Sequence, residues 1–384
     1  MHLFTSMLLG FAPVLVAAQV KGTAYGFAKG VTGGGSATAA APKDITELAT
    51  WLSDSTARVI LIDKTFDFVG SEGTATETGC TSTTCTLANG GQDYIGSNSC
   101  TGSGMVSASI SYDKAGATSL VVGSNKSIVG VGSKGVIQGK GLRLPATSKN
   151  VIIQNVHITN INPRDVWGGD ALQLEGNDGV WVDHCKFSKV GRMFVVTQSF
   201  AASRLTISNT EFDGTTTTSA TCNGNHYWTA MFIATGDKVT LDRNYWHALS
   251  GRAPKLGQSG ATTTVQATNN LFSNMLGHAF DAYAGTSALI EGNVFESVTL
   301  PMTAEAEKVS TIFNAPDSAS LGLCSSSLGR NCVANSLSSS GKFASMKDAS
   351  GLSAMASAKA YLVTPIQASS VKSTVTNNAG VGKI

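Results

Sequence analysis

The sequence predicts an all-β fold, a right-handed parallel β-helix, and three features of its 384 residues lead to that prediction. The first is a recurring eight-residue frame, apolar at its first and third positions and ending on a large apolar, usually aromatic, residue. The second is an asparagine near the middle of most frames. The third is the composition, with 42 glycines and only 14% charged residues, which is typical of short strands separated by many tight turns.

Successive frames from the second one onward begin 29, 25, 34, 26 and 23 residues apart. Irregular periods of this length, combined with alternating apolar residues, indicate a solenoid of strands whose coils must stack to bury their apolar faces. An antiparallel sandwich is the alternative, but it predicts neither a fixed frame nor a recurrent asparagine. The seven frames are Val59–Phe66, Val151–Ile158, Val180–Phe187, Leu205–Phe212, Val239–Trp246, Val265–Phe272 and Ala288–Phe295.

Asparagine occupies the fourth or fifth step after the start of five frames. Its side chain hydrogen-bonds locally and tolerates left-handed backbone, which suits a corner between two strands. Asparagines that stack from coil to coil would also form a ladder of side-chain amides. These residues are Asn155, Asn209, Asn244, Asn269 with Asn270, and Asn293.

The chain begins with a predicted secretory signal peptide, residues 1–18, and continues as a single predicted β-helix domain, residues 19–384. An apolar run from Leu8 to Ala17 precedes small residues, with cleavage expected after Ala18. This run is too short to span a bilayer, and no later segment is long enough. We therefore expect a secreted protein that has no membrane partner and acts as a monomer. A net charge of +2 without a basic run argues against nucleic acid as a partner.

Two insertions, a capping helix and a helical tail complete the predicted architecture. Residues 70–115, rich in Ser, Thr and Gly, predict a disulfide-tied loop, and residues 215–229 a second loop; long loops on a rigid scaffold often carry binding sites. Asp44, followed three residues later by Glu47, predicts the start of a short helix. The Ala- and Ser-rich residues 336–360 predict a helix on the outside or end of the solenoid. Asn125-Lys-Ser127 is a sequon, so we expect one glycan at Asn125.

Seven cysteines in a secreted chain predict three disulfides and one remaining thiol. Cys324 and Cys332 are close in sequence and bracket a loop. The pairing of the other five stays open from sequence alone: Cys80, Cys85, Cys100, Cys185 and Cys222.

Two pairs of charged residues are candidates for chemistry. Asp170 and Arg192 are 22 residues apart, about one coil, so they can be neighbours on adjacent coils. Arg252 and Lys255 follow the frame that begins at Val239, on a turn containing a proline. Taken alone, the first pair could be a structural ion pair and the second a solvated turn. The histidines are expected to be structural: His157, His184, His226, His247 and His278.

The segment from Asn150 to Arg192 resembles the fungal pectin lyases of the pectate lyase superfamily, polysaccharide lyase family 1. It contains Asn162-Pro-Arg-Asp-Val-Trp-Gly-Gly-Asp170, Val180-Trp-Val-Asp-His184 and Gly191-Arg192. The later segment Ser250-Gly-Arg-Ala-Pro-Lys255 is similar to their catalytic segment. The resemblance implies a parallel β-helix, β-elimination on methyl-esterified polygalacturonate, and the disulfides Cys80–Cys100 and Cys85–Cys222, which would leave Cys185 as a buried thiol.

The resemblance also implies roles for single residues. Arg252 would take the proton from C5 of a uronate ring, although an ordinary arginine is a poor base. Arg192 would occupy the space in which pectate lyases bind calcium, Asp170 would line the cleft, and Lys255 would add positive charge. The aromatic residues that would stack on sugars are Trp167, Tyr227 and Trp228.

Calcium and other cofactors are not expected, because Gly168 stands where pectate lyases place a further carboxylate. A calcium-dependent pectate lyase and a non-catalytic carbohydrate-binding β-helix remain alternatives. A polygalacturonase is a third, disfavoured because its aspartate and histidine motifs are absent. Relatives carry a tryptophan where this chain has only Ser and Thr between Cys80 and Cys85, and another where it has Tyr94. We therefore expect weaker sugar binding than is usual for the family.

Overall fold

A computed structural model describes residues 19–197 and 202–384, and shows a parallel β-helix built from three sheets. The expected signal peptide, residues 1–18, lies outside the described residues. Each coil contributes one strand to each sheet in turn, and side chains from all three sheets meet in one interior core. None of the described helices is long and apolar enough to cross a membrane.

The strands of the three sheets follow one another around each coil. The first sheet contains Ala39–Ala40, Arg58–Ile62, Lys126–Gly130, Lys149–Gln154, Asp178–Asp183, Arg204–Ser208, Asp237–Asp242, Thr263–Thr268, Thr286–Glu291 and Ile312–Phe313. The second contains Thr65–Asp67, Val136–Gln138, His157–Ile161, Lys186–Val190, Glu211–Asp213, Tyr245–His247, Leu271–Ala282, Val294–Met302 and Ser336–Ser338. The third contains Leu120–Val121, Leu142–Leu144, Leu172–Leu174, Val195–Thr197, Ala230–Phe232, Lys255–Leu256 and the end of Leu271–Ala282.

Six of the seven predicted frames stack in register, each on the next. Val151 pairs with Val180, and the register continues through the starts of the later frames. The aromatic residues that end the frames form one interior stack, with Phe212 and Trp246 only 3.8 Å apart between ring centroids. Stacked aromatic pairs contribute about 0.5–1.5 kcal/mol beyond their buried area. The repeat thus confirms the predicted fold class.

The frame at Val59 is offset by one residue in the first sheet, because Val59 pairs with Ser127 and Ser127 with Ile152. A complete coil between these frames, residues 126–144, was missed. Its first strand begins with Lys126, which is fully buried, instead of an apolar residue. The ammonium group reaches back to the end of the first helix and binds the carboxylate of Asp54 at 2.6 Å.

The predicted asparagines divide into two structural roles. At the fourth step, Asn155, Asn209 and Asn269 adopt left-handed backbone, with φ of 59°, 45° and 53°, and turn the chain from the first sheet to the second. At the fifth step, Asn244, Asn270 and Asn293 form a buried ladder, in which each Nδ2 donates to the Oδ1 of the next coil at 2.9–3.0 Å. Both predicted uses of asparagine are therefore present, at adjacent positions.

The first insertion is tied by disulfides as predicted, but it contains regular strands where a loop was expected. Strands Thr74–Ser82 and Met105–Asp113 form a nine-pair antiparallel hairpin, and Asp93–Tyr94 pairs with Asp165–Val166 beside the cleft. The hairpin was missed because it stands away from the core with both faces largely exposed. Its Ser- and Thr-rich strands therefore lack the apolar alternation of a half-buried strand.

Helices cap and flank the solenoid. Ile45–Ser53 follows Asp44, whose carboxylate accepts from the Glu47 N–H at 2.9 Å, as predicted. In the tail, Ala349–Ala356 packs on the outside of the first sheet, and an additional helix, Ala368–Asn378, packs on the outside of the second. The remaining helices are Lys114–Ala117 and Leu323–Leu328, with 3-10 turns at Gly26–Ala28, Leu87–Asn89, Ala306–Lys308 and Lys359–Tyr361.

Three disulfides join Cys80 to Cys100, Cys85 to Cys222 and Cys324 to Cys332, and Cys185 is a buried free thiol. The second bridge spans 137 residues and connects the two insertions. In the chain-entropy model, closing a loop of this length stabilises the fold by roughly 4–5 kcal/mol. The side chain of Asn125 is exposed and accepts a hydrogen bond from Asn150. Its glycosylation stays a prediction.

Candidate active site

The candidate residues gather on the outer face of the third sheet and in the turns that precede its strands. Outward-facing residues pair in register across successive coils, in the order Arg143, Gln173, Val196, Met231, Lys255 and Asp281. The turns before these strands hold Asp170, Arg192, Trp228 and Arg252, and His278 lies at the equivalent place within the continuous strand Leu271–Ala282. Since each coil adds one strand, residues 22–35 apart in sequence become direct neighbours.

Arg252 is a half-buried cation whose partners are aromatic rings and sulfur atoms. Its guanidinium carbon lies 4.7 Å from the ring centroid of Trp228 and 5.9 Å from that of Tyr227. Its Nη1 approaches the sulfur of Met231 at 3.5 Å and that of Met193 at 3.9 Å. Among the described residues, no carboxylate oxygen lies within 4.0 Å of this side chain, although most other arginines of the chain have such a partner.

The turn that carries Arg252 is tightly constrained. Arg252 adopts left-handed backbone with φ of 45°, and a cis peptide bond joins Ala253 to Pro254. A Cβ on Gly251 would lie 2.4 Å from the ring of Tyr227, so only glycine fits at this position. The backbone N–H of Arg252 donates to Nε2 of His278 at 3.0 Å.

The surroundings lower the pKa of both basic residues of this segment. Burial lowers the pKa of Arg252, and the charge of Arg192 acts in the same direction, partly opposed by Tyr227 and Asp281. Burial also lowers the pKa of Lys255, together with the nearby charge of Arg252. The ammonium group of Lys255 lies 4.4 Å from the ring centroid of Tyr283. The surroundings therefore shift both groups toward loss of a proton, relative to an arginine and a lysine in water.

Asp170 and Arg192 form an ion pair across adjacent coils, with Nη1 3.2 Å and 3.3 Å from the two carboxylate oxygens. Asp170 also accepts from the N–H of Met193 at 2.8 Å and from Nε2 of Gln173 at 3.0 Å. Both oxygens of Asp170 are thus engaged.

The three predicted aromatic residues surround these cations. Arg192 lies over the ring of Trp167 at 4.1 Å, and Trp167 keeps about a third of its surface exposed. Trp228 covers Arg252 with one face and donates from Nε1 to Gln92 at 3.2 Å. Tyr227 packs edge-on against Trp228. Two of the three rings therefore hold a guanidinium on one face.

His226 and His278, expected from the sequence to be structural, hold these turns together, although the sequence did not place them at the site. His226 is fully buried, and its Nε2 lies 2.9 Å from the carbonyl oxygens of both Arg192 and Trp228. Burial lowers its pKa to about 4, so the ring is neutral and bridges the two turns. His278 bonds the backbone of Arg252, as described above. The sequence feature that could have indicated this contact is the spacing, since His278 follows Arg252 by 26 residues, about one coil.

The described residues at this site do not fit a calcium ion. Calcium requires six to eight oxygen ligands, whereas the turns around Arg192 offer the carboxylate of Asp170, whose two oxygens already accept hydrogen bonds. At Gly168 a Cβ would lie 2.5 Å from that of Asn162, so this turn has no room for a carboxylate side chain. Within residues 19–197 and 202–384, the one close group of three acidic or histidine side chains is on the second sheet: Glu211, Asp213 and His247.

Comparisons with known proteins agree with this architecture. The sequence profile described as pectate lyase matches residues 1–384. The chain belongs to the pectate lyase family. It is 47% identical to probable pectin lyase F-1 of Aspergillus terreus over 99% of this chain and 98% of the relative. It is 45% identical to pectin lyase B of Emericella nidulans, over 98% of each.

Solved structures show the same fold at lower sequence identity. A pectate lyase bound to a hexasaccharide aligns with a TM-score of 0.58 at 18% identity, over 96% of this chain and 99% of the other. A pectate lyase from Bacillus sp. N165 in complex with trigalacturonate aligns with a TM-score of 0.57 at 19% identity, over 93% and 98%. At these identities the likeness supports the fold alone.

Proposed function

We propose that this protein is a secreted, monomeric pectin lyase that cleaves methyl-esterified α-1,4-linked polygalacturonate by β-elimination and releases unsaturated oligogalacturonides. The relatives named pectin lyase, 45–48% identical along nearly the whole chain, support this reaction class. The signal-peptide pattern of residues 1–18 supports secretion.

One observation carries the assignment of the base. Arg252 is half-buried among two aromatic rings and two sulfur atoms, with no carboxylate partner among the described residues and a second cation nearby. Desolvation and like charge both favour the neutral guanidine, which is the form that can accept a proton. An arginine placed for structure alone would be expected to pair with a carboxylate, as Arg143 does with Glu175.

In the proposed mechanism, neutral Arg252 takes the proton from C5, the carbon α to the C6 carbonyl. The electron pair left at C5 forms the C4–C5 double bond while the C4–O4 bond breaks. O4 leaves with the neighbouring sugar and takes a proton from solvent. Negative charge develops on the C6 carbonyl oxygen, and Arg192 and Lys255 supply the positive charge that stabilises it. Asp170 holds Arg192 in position through the ion pair.

The electrostatics of the site favour a methylated substrate. A methyl ester removes the charge of each uronate, so the site must stabilise only the charge that develops in the transition state. An unmethylated chain brings one negative charge per sugar, which calcium neutralises in pectate lyases. Here Arg192 is the fixed cation, and the residues around Asp170 do not fit calcium. The proposal therefore includes no cofactor.

The test compares highly methylated pectin with polygalacturonate, each with and without a chelator, and follows the ultraviolet absorbance of the unsaturated product. We expect elimination on methylated pectin that is unchanged by the chelator. Faster elimination on polygalacturonate, abolished by the chelator and restored by calcium, would identify a calcium-dependent pectate lyase. New reducing ends without new absorbance would indicate hydrolysis, and binding without either product would indicate a carbohydrate-binding solenoid.

A further inference from the structure

The backbone of Arg252 is hydrogen-bonded to a histidine side chain. Its N–H donates to Nε2 of His278 at 3.0 Å, one coil further along the solenoid. The next residues follow the ordinary ladder: the Ala253 N–H donates to the Ala279 carbonyl at 3.3 Å. One coil earlier, the Ala230 N–H donates to the Arg252 carbonyl at 2.7 Å. At Arg252, by contrast, the imidazole of His278 takes the place of a backbone carbonyl as the acceptor.

The chain around His278 is shaped to allow this contact. The ladder between strands Leu271–Ala282 and Val294–Met302 shifts register between Met275 and His278. Such irregularities re-aim side chains and are common next to active sites. Gly277 lies directly against the preceding coil, since a Cβ there would be 1.8 Å from the Ser250 carbonyl oxygen. Any larger residue at 277 would push the ring of His278 away from Arg252.

Arg252 needs this support for two reasons. Its left-handed backbone costs roughly 1–2 kcal/mol for a residue with a Cβ. In addition, no carboxylate among the described residues anchors its guanidinium, whose neighbours are rings and sulfur atoms. The position of the guanidinium is therefore set mainly by the backbone from which it projects. A displacement of about 1 Å at a reacting group can cost on the order of 100-fold in rate.

We propose that His278 is a positioning residue for the elimination reaction, holding the backbone of Arg252 so that the guanidine faces the C5 proton. This inference rests on the proposed role of Arg252 as the base. His278 does not touch substrate and acts through Arg252. Its ring must be neutral, with Nε2 as the acceptor and the proton on Nδ1.

Acidic pH should break the contact between His278 and Arg252. A protonated His278 carries N–H on both nitrogens, cannot accept from Arg252, and loses the contact. The groups facing the ring are Arg252 on the adjacent turn, Tyr227 at 5.8 Å between centroids, and Asp281 on its own strand. Burial lowers the pKa of His278, and Arg252 reinforces this while Asp281 opposes it. The neutral ring thus persists to below the ordinary histidine pKa.

The experiment uses the full-length enzyme on methylated pectin. His278→Leu keeps the approximate volume but removes the acceptor, whereas the amide oxygen of His278→Gln can occupy the place of Nε2. We expect kcat to fall about 100-fold in His278→Leu with KM within about threefold, and to stay within about fivefold in His278→Gln. His157→Gln, at a histidine of the second sheet that contacts Ser188, is the matched control and should behave as wild type. Circular dichroism melting verifies that each variant is folded.

The pH profile separates positioning from packing. In wild type, protonation of His278 should add a further fall of kcat at acidic pH to the one caused by protonation of Arg252, and only this further fall should be absent in His278→Gln. A folded His278→Leu with near-normal kcat, or a His278→Gln as impaired as His278→Leu, would overturn the inference. Arg252→Ala separates the two proposals: if it is inactive while His278→Leu is active, only the positioning role fails. If Arg252→Ala is active, the proposed base itself is wrong.

Discussion

The outer faces of the second and third sheets each carry a half-buried lysine in a group of charged residues. The pKa of the lysine on the second sheet is raised, and that of the lysine on the third sheet is lowered. On the second sheet, Lys186 lies 3.0 Å from a Glu211 oxygen and 2.9 Å from an Asp213 oxygen. Burial alone would lower its pKa, but these two carboxylates outweigh burial and raise it. On the third sheet, Lys255 has no carboxylate within 4.0 Å among the described residues, and burial and Arg252 lower its pKa.

The second sheet thus carries a compensated charge cluster, in which each charge has an opposite partner. The third sheet carries an uncompensated one, in which Lys255 and Arg252 lack such partners among the described residues. The second-sheet cluster also includes His247, whose Nε2 lies 3.0 Å from Glu211, so each carboxylate has a cationic or hydrogen-bonding partner. Charges that compensate each other are stabilising and chemically unreactive. Uncompensated cations in a cleft keep depressed pKa values, which is the condition for acting on a substrate. The contrast assigns stability to one face and chemistry to the other.

The largest expected effect comes from replacing the proposed base. Arg252→Lys should fold normally and lose about two to four orders of magnitude in kcat on methylated pectin, as is typical when a general base is removed. The matched control is Lys186→Arg on the second sheet, which changes one basic group for another outside the cleft and should leave kcat unchanged. Near-normal turnover by folded Arg252→Lys would show that the unpaired arginine is not the base.

The second effect concerns the ion pair between Asp170 and Arg192, which lies within the cleft. Asp170→Asn leaves Arg192 without its charge partner, and Arg192→Met removes the cation. We expect each change to lower kcat roughly 10- to 100-fold, because positive charge near the developing enolate is lost or misplaced. Arg143→Met, which breaks a more exposed pair with Glu175 on the same sheet, is the control. If the Asp170 and Arg192 variants only lower the melting temperature, this pair is structural, like that of the second sheet.

The interior of the solenoid could be predicted from the sequence, whereas the pairing of charges on its outer faces could not. The frames were visible because interior positions alternate in every coil, and their apolar residues stack in register. The coil at Lys126 was hidden because a lysine occupies a core position and finds its partner, Asp54, outside the strand pattern. The pairing of charged side chains on the outer faces was hidden too, because the partner of each charge lies on a neighbouring coil, distant in sequence. Lys186 and Lys255 look alike in sequence, and only the neighbouring coils decide which one is paired.

A pair of lysine variants tests the contrast directly. Lys186→Met leaves Glu211 and Asp213 without their shared cation, so we expect the free energy of unfolding to fall by about 1–3 kcal/mol with kcat unchanged. Lys255→Met should do the reverse, lowering kcat while leaving the free energy of unfolding nearly constant. Urea titration and initial rates on the same preparations provide both quantities. Loss of activity in Lys186→Met without loss of stability would contradict the division between the faces.

The smallest expected effect is the acid dependence of stability. For Glu211, burial would raise the pKa, but the hydrogen bond with His247 and the charge of Lys186 outweigh it and lower the value. The pKa of Asp213 is likewise lowered, against burial, by its hydrogen bond to Lys186. A carboxylate with a depressed folded pKa contributes stability that is fully present above its ordinary value, near 4. That stability disappears as the pH falls through the folded pKa.

The test is urea unfolding at pH 6 and pH 3 for wild type and for the double variant Glu211→Gln with Asp213→Asn. Wild type should lose more stability between the two pH values, because protonation of its two carboxylates removes their attraction to Lys186. The amides of the double variant do not titrate. The difference should be on the order of 1 kcal/mol, since one pKa unit corresponds to about 1.4 kcal/mol. Equal losses in both proteins would mean that the cluster adds no pH-dependent stability, and that Lys186 is no better compensated than Lys255.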